Sequence, residues 1–435
     1  MKKIVFNVIP PLISLLLVML GNGFFTTFTS LRLSGYGIWV VGIVNASFFA
    51  GIMLGSIYVE KLLDRIGHIR TFAIFASTNS FLIVIQSMVV TPLLWILFRF
   101  LSGICTSGFF IVIESWLLLS TGVKHRGRIL SLYMLTLYMG LGLGQFILNI
   151  SSLTSFLPFV VTIGLSSLSI IPICMIKSSG PLVLESSITN ILQIIRKAPL
   201  GPIGCFIAGV IMASLYGLVP IFGKEIGLTV FQISQIMGFT ILGGLLLQWP
   251  IGHLSDIFNR RKVLIGICFL LMVLTLIIFF FYSFSYYVLL ALMILFGGVS
   301  FTFYPLSITY TCDYFSDKNL IGIACSLLVI YGIGSIVGPL FSPIFMTWFG
   351  SNAVFLYMSL FCCSYIFLAV WRVMHAKPSR EEKKSDYLPL PRATSLAFYL
   401  DPRNEFGDEG EDEEYEDDRY LLEEDEDEDE DEENV

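Results

Sequence analysis

The sequence predicts an all-α membrane protein of twelve transmembrane helices, arranged as two pseudo-symmetric six-helix bundles and followed by a disordered acidic C-terminal tail. Three observations carry this reading. Hydrophobic residues make up 55% of the chain and charged residues 14%, against about 25% charged residues in a soluble domain. Apolar stretches of the length that crosses a bilayer, about 20 residues, recur twelve times. A charged hinge between two such stretches occurs twice, 192 residues apart.

The clear copy of the hinge is Gly252-His253-Leu254-Ser255-Asp256-Ile257-Phe258-Asn259-Arg260-Arg261-Lys262, and the blurred copy is Glu60-x-Leu62-x-Asp64-Arg65-x-Gly67-His68-x-Arg70. The shift that carries Asp64 onto Asp256 also carries Arg32 onto Lys224, Gly35 onto Gly227 and Gly51 onto Gly243. One offset holding over that span marks a duplicated half, the usual plan of a membrane carrier.

The apolar segments fall near 8–31, 38–60, 70–90, 93–119, 129–149, 156–176, 202–223, 231–253, 263–283, 286–311, 320–345 and 352–372. The bundles are then 1–176 and 200–374, with a linker over 177–199 and the tail over 375–435. The N-terminal run after Met1-Lys2-Lys3 continues past twenty residues with no small-residue cleavage pattern, so it reads as a first membrane helix rather than a signal peptide.

The net charge of -7 conceals two opposite regions. Residues 401–435 hold 22 of the 33 acids and two bases, which leaves the other 400 residues at +13. A run so acidic repels itself and buries nothing, and its partner is unknown. Alternate loops carry the bases: Lys61, Arg65 and Arg70; Lys124, Arg126 and Arg128; Lys177, Arg196 and Lys197; Arg260, Arg261 and Lys262; then Lys318. The intervening loops carry only Arg32 and Lys224. By the positive-inside rule the basic face is cytoplasmic, with both termini on that side of the membrane.

The hinges supply a carboxylate and several guanidinium groups between helix ends, which form charge-assisted hydrogen bonds. Asp64, Arg65, Arg70, Asp256, Arg260 and Arg261 are therefore expected to form an inner latch, with Asp313 pairing to Arg260 or Arg261. Glu114 holds the comparable place in the first half. It either pairs with Arg65 or Arg70 or carries a proton, since an acid within a membrane helix marks a functional site by default. Arg99 lies inside the fourth segment, where a charge costs on the order of 3 kcal/mol unless it faces protein or water. It either attracts an anionic substrate group or braces the bundle. Tyr138, Gln145, Tyr216, Gln248, Trp249 and Tyr304 are the main candidates for the substrate cavity, alongside Arg99; Asn22, Asn45, Asn149 and Tyr331 are weaker ones.

Glycines four apart, Gly140 and Gly144, and Gly334 and Gly338, point to close helix contacts. The eight cysteines and four histidines fall into no metal-ligand spacing, and the cysteines read as buried thiols. No phosphate-cradling glycine loop, H-E-x-x-H or nucleophile elbow is present, so the reading implies neither cofactor, metal, nucleic acid nor enzyme activity.

The hinge pair, with Arg99 and Gly103 fitting an R-x-x-x-G pattern, resembles the major facilitator superfamily over about residues 5–372. Val112-Ile113-Glu114-Ser115, Ser214-Leu215-Tyr216-Gly217-Leu218-Val219-Pro220, Gln248-Trp249-Pro250-Ile251-Gly252 and Phe303-Tyr304-Pro305 are similar to its YcaD-like branch. Glu60 departs from the glycine of the first-hinge signature, and the fifth segment lacks the Gly-Pro pair of the antiporter signature. The resemblance implies a monomeric secondary transporter of a small organic solute working by alternating access. Coupling to protons is the expected drive. The alternatives are an uncoupled uniporter, a lipid flippase, and a transporter-like receptor or scaffold acting through the acidic tail.

Overall fold

The computed structural model describes residues 2–121, 125–175, 191–315 and 320–375. Lys124, Lys177, Lys318, most of the expected linker and the acidic tail lie outside the described residues. Fourteen α-helices run in order: α1 (Lys2–Leu33), α2 (Ile38–Ile66), α3 (His68–Met88), α4 (Pro92–Leu119), α5 (Arg126–Ile147), α6 (Leu157–Leu168), α7 (Ile170–Cys174), α8 (Ile191–Lys197), α9 (Leu200–Glu225), α10 (Val230–Ile257), α11 (Arg260–Phe281), α12 (Tyr286–Cys312), α13 (Leu320–Phe349) and α14 (Ala353–His375). With α6 and α7 read as one span, twelve segments of the described chain are long and apolar enough to cross a bilayer, as the sequence predicts. Their outward surface carries large apolar side chains, among them Leu93 at 79% exposure and Phe367 at 70%, a surface that suits lipid rather than water.

Short polar signals set the helix boundaries. Thr229 and Gln232 close a capping box at the start of α10, each accepting from the other's backbone N–H, which satisfies two donors that a helix start leaves open. At the clear hinge Asn259 Oδ1 accepts from the Lys262 N–H and starts α11. At the blurred hinge Gly67 takes that place with φ of 79°, a backbone that a side chain rarely adopts. The two hinges therefore turn by different chemistry despite their shared pattern.

Within each bundle, glycine seams bring backbones together. A Cβ on Gly103 of α4 would come 3.0 Å from the Gly51 Cα of α2. In the second bundle Gly243 of α10 meets Ile294 of α12, and Gly297 of α12 meets Thr240 of α10. The glycine pairs read from the sequence do the same: Gly140 and Gly144 back onto Met19 and Leu20 of α1, and Gly334 and Gly338 onto Phe206 and Val210 of α9. The α2–α4 seam thus repeats as α10–α12, and the α1–α5 seam as α9–α13, which is the duplication expressed as packing. Two of the cysteines expected to be buried, Cys174 and Cys363, are exposed.

The bundles meet through α2 against α13 and α5 against α10. Gly42 packs on Pro339 and Pro343, the Phe146 and Phe239 rings lie 5.6 Å apart, and Asn149 Nδ2 donates to Ser234 Oγ at 2.8 Å. Lys224 Nζ donates to Ser34 Oγ at 2.5 Å. All of these contacts lie in the half of the molecule remote from the hinges. Toward the hinges the same stripe of α10 continues as Leu246, Trp249 and His253, since residues three and four apart share a helix face. Leu246 is 70% exposed and Trp249 77%. On α5 the matching stripe, Arg128, Ser131 and Leu135, is exposed as well. The α5–α10 pair is closed at one end and parted at the other.

Candidate functional site

A central cavity lies between the bundles at the depth where α5 and α10 begin to part. Its volume is about 140 Å³, roughly ten times the ~10–15 Å³ that one water needs. The first bundle supplies most of the wall: Met19, Asn22, Gly23 and Thr26 from α1, Phe48, Phe49 and Ile52 from α2, Thr106 and Phe110 from α4, and Met134, Leu137, Tyr138 and Leu141 from α5. The second bundle closes it with Tyr216 of α9, Phe301 of α12 and Tyr331 of α13. Phe301 reaches the other bundle, its ring 5.3 Å from Tyr138 and edge-on to it, and lies 6.5 Å from Tyr216.

Of the seven main cavity candidates read from the sequence, Tyr138 and Tyr216 line this space and five do not; of the four weaker ones, Asn22 and Tyr331 line it as well. Arg99 is 1% exposed and lies one side chain behind the wall. Its guanidinium carbon sits 4.0 Å from the Phe48 ring centroid and 5.9 Å from that of Phe25, and Nη2 donates to Thr26 Oγ1 at 3.4 Å. A desolvated cation over a ring gains about 2 kcal/mol, so the charge is held by the backs of two cavity residues rather than presented to a solute. Gln145 ties α5 to α1, donating to the Gly23 carbonyl at 2.6 Å and accepting from Thr27 Oγ1 at 2.8 Å. Gln248 is buried outside the lining. Tyr304 packs at a tilt against Tyr331, centroids 4.7 Å apart. Trp249 stands on the exposed stripe of α10, parallel to the His253 ring; one residue along a helix rotates a side chain by about 100°, enough to separate it from buried Gln248. Asn22 and the ring of phenylalanines carried the cavity in the sequence, but apolar residues at helical spacing look alike whether they face a neighbour or a void.

The clear hinge forms a buried knot. Arg260 Nη1 donates to both carboxylate oxygens of Asp313, at 2.8 and 2.6 Å, and Nη2 donates to Asp256 Oδ1 at 3.0 Å. The three residues join the ends of α10, α11 and α12, so these bonds brace the second bundle. Arg261 lies beside it with Nε and Nη2 meeting no acceptor among the described residues. The blurred hinge is different: Asp64, Arg65 and Arg70 are exposed and form no salt bridge among the described residues. The 192-residue shift maps Arg260 onto His68, which is buried and packs its ring edge-on to Trp116 at 5.4 Å. That equivalence was available in the sequence and is the signal the pattern of acids and arginines passed over.

Glu114 is fully buried and accepts a hydrogen bond from Tyr133 Oη of α5 at 2.5 Å. It stands one turn past the cavity residue Phe110, toward the hinge face, and Tyr133 adjoins the cavity residue Met134. The partner is a tyrosine on the neighbouring helix, where the sequence suggested Arg65 or Arg70.

Two helix bundles enclosing a cavity within the bilayer define a multi-pass membrane protein that handles a solute. The model of the Major Facilitator Superfamily matches residues 11–244 and 203–402, and the chain belongs to that superfamily of membrane transporters. A relative in Escherichia coli O17:K52:H18 (strain UMN026 / ExPEC), described as an uncharacterized MFS-type transporter YcaD, is 30% identical over 346 residues, 78% of this chain and 87% of the relative. The protein of the same description in Escherichia coli (strain UTI89 / UPEC) matches to the same extent. Among solved structures the fold is similar to the nucleoside transporter NupG, with a TM-score of 0.68 at 14% identity over 87% of this chain and 100% of that one. It is equally similar to a bacterial homolog of the human lysosomal transporter Spinster in an inward-facing and occupied conformation, at 13% identity over 85% of this chain and 97% of that one.

Proposed function

We propose that the protein is a proton-coupled secondary transporter that carries a small organic solute by alternating access. It acts as a monomer in a bacterial plasma membrane, with the basic hinge face and both termini in the cytoplasm. The bundles are residues 1–176 and 200–374, joined by the linker 177–199. The observation that carries this reading is the α5–α10 pair, packed at Phe146 and Phe239 and parted at Leu135 and Trp249. The cavity then opens toward the cytoplasm. Rocking the bundles about the cavity would part the packed end and bring the exposed stripes together.

Glu114 is the coupling group. A buried carboxyl one turn from the cavity, hydrogen-bonded to a phenol on a helix that also lines the cavity, takes and releases a proton as those two helices shift. The knot of Asp256, Arg260 and Asp313 holds the second bundle rigid through the motion. Exposed Asp64, Arg65 and Arg70, with half-buried Arg261, make the cross-bundle contacts of the latch once the cytoplasmic side closes.

The test is transport in proteoliposomes with an imposed pH gradient. Accumulation driven by the gradient, abolished in Glu114→Gln while exchange of solute across the membrane persists, supports proton coupling. Equal flux with and without the gradient makes the protein a uniporter. No flux of any solute, with a tail truncation before residue 401 abolishing the cellular phenotype, replaces transport with a scaffold role.

A further inference from the structure

We infer that the cavity takes an uncharged, mainly aromatic or aliphatic molecule with one hydrogen-bond acceptor, and that this acceptor sits on the side-chain amide of Asn22. The inference rests on the transporter reading and names the chemical class of its solute.

The lining is chemically one-sided. Seven of the sixteen described residues that line it are aromatic, and none of the sixteen is Lys, Arg, Asp or Glu. A charged group moved into such a space loses its water and meets no opposite charge to replace it, which costs several kcal/mol. Arg99 does not offer that charge, because the Phe48 ring lies between its guanidinium and the cavity at 4.0 Å. A carboxylate could reach it only by displacing Phe48 and its cation–π contact. Aromatic faces and edges from both bundles, with Phe301 against Tyr138, instead suit an apolar ring, whose offset or edge-on packing is worth about 1 kcal/mol per pair beyond burial.

Two hydroxyls on the wall are committed within their own helices. Thr26 Oγ1 donates to the Asn22 carbonyl and Thr106 Oγ1 to the Ser102 carbonyl, each within its own helix. Asn22 lines the cavity, and its amide nitrogen meets no acceptor among the described residues; that nitrogen is sealed as the side chain stands, so a solute reaches it once the amide turns about its last bond. A buried donor left open is costly, and a solute oxygen placed on it removes that cost. Sites of this kind are largely apolar, with a few placed polar groups that fix orientation.

Binding to the full chain in nanodiscs, measured against empty nanodiscs, tests this with four probes on one ring system: 1-acetonaphthone, 1-ethylnaphthalene, 1-naphthoate and 1-naphthylmethylammonium. The expected result is that 1-acetonaphthone binds at least tenfold more tightly than either charged probe. Asn22→Leu should weaken 1-acetonaphthone about tenfold and leave 1-ethylnaphthalene unchanged, the effect of one lost hydrogen bond to a buried group. Phe301→Ala should weaken both neutral probes. If Asn22→Leu fails to fold by thermal unfolding, Asn22→Ser with the same two neutral probes gives the same comparison. Tightest binding by a charged probe, no binding by any of the four, or equal loss for both neutral probes on changing Asn22 overturns the inference. Disulfide formation between cysteines in a Leu135→Cys, Trp249→Cys pair is followed in parallel. Crosslinking with a preference for a charged probe leaves the transporter and removes the solute class, whereas a pair that never crosslinks removes alternating access whatever binds.

Discussion

Arg260 and Asp313 are joined by two hydrogen bonds from one guanidinium nitrogen, at 2.8 and 2.6 Å, with both side chains nearly sealed from solvent at 2% and 4% exposure. A buried pair broken on one side leaves the other charge uncompensated, at a cost of about 3–5 kcal/mol. Arg260→Ala should therefore lower the stability of the purified protein by that amount, read from denaturant midpoints in detergent. The double change Arg260→Met with Asp313→Leu should recover much of the loss. An unaltered midpoint in the single variant would make the knot ornamental to folding.

The antiparallel register of α5 and α10 predicts the other state of the molecule. Carried from Asn149 opposite Ser234 and Phe146 opposite Phe239 toward the hinges, it sets Leu135 opposite Trp249 and Ser131 opposite His253. A cysteine pair at Leu135 and Trp249 should crosslink slowly in the resting protein and several-fold faster under turnover, while a pair at Asn149 and Ser234 should show the reverse. Gel mobility after oxidation reads both.

Tyr133→Phe removes the hydrogen bond to Glu114 and keeps the ring. It should alter the pH dependence of flux while leaving solute affinity within about twofold, since one such bond to a charged group is worth about 1.5–3 kcal/mol. Glu114→Gln should abolish solute-driven proton uptake, measured with a pH dye. Uptake that survives in Glu114→Gln places coupling elsewhere.

Gly297→Val should prevent assembly of the second bundle, because its Cβ would meet the Thr240 carbonyl and overpacking against backbone costs about 1–3 kcal/mol or more. Gly266→Ala, at a position with nothing within 4 Å, should leave yield and thermal stability unchanged. Size-exclusion profiles of the two variants separate the outcomes.

The helices were legible because the bilayer imposes a length and a polarity that a string of residues displays openly, and the second hinge was legible because four charges within seven residues, Asp256 to Lys262, have few structural uses. The cavity was less so. Gln248 and Trp249 are neighbours in sequence and read as one polar and aromatic cluster, yet helical rotation buries the first and exposes the second. Arg99 was rightly read as turned inward, but its depth behind Phe48 depends on how α2 packs on α4, a contact made by Gly51 and Gly103 across about fifty residues. His68 was overlooked because a histidine was not counted among the charges, although the repeat places it where Arg260 stands.

The neutral lining of the cavity has an electrical consequence. A unit charge crossing the whole membrane potential gains or loses about 2.3 kcal/mol per 100 mV. The cavity wall moves none across when the bundles rock, and Arg99 stays fixed against α1 and α2 of its own bundle. With the uncharged cargo inferred above and Glu114 as the proposed coupling group, the voltage sensitivity of the cycle falls on the proton that this carboxyl takes up from one side and releases to the other. Currents across a planar bilayer should follow the protonation of that one side chain, and Glu114→Gln should turn an electrically active carrier into a silent one.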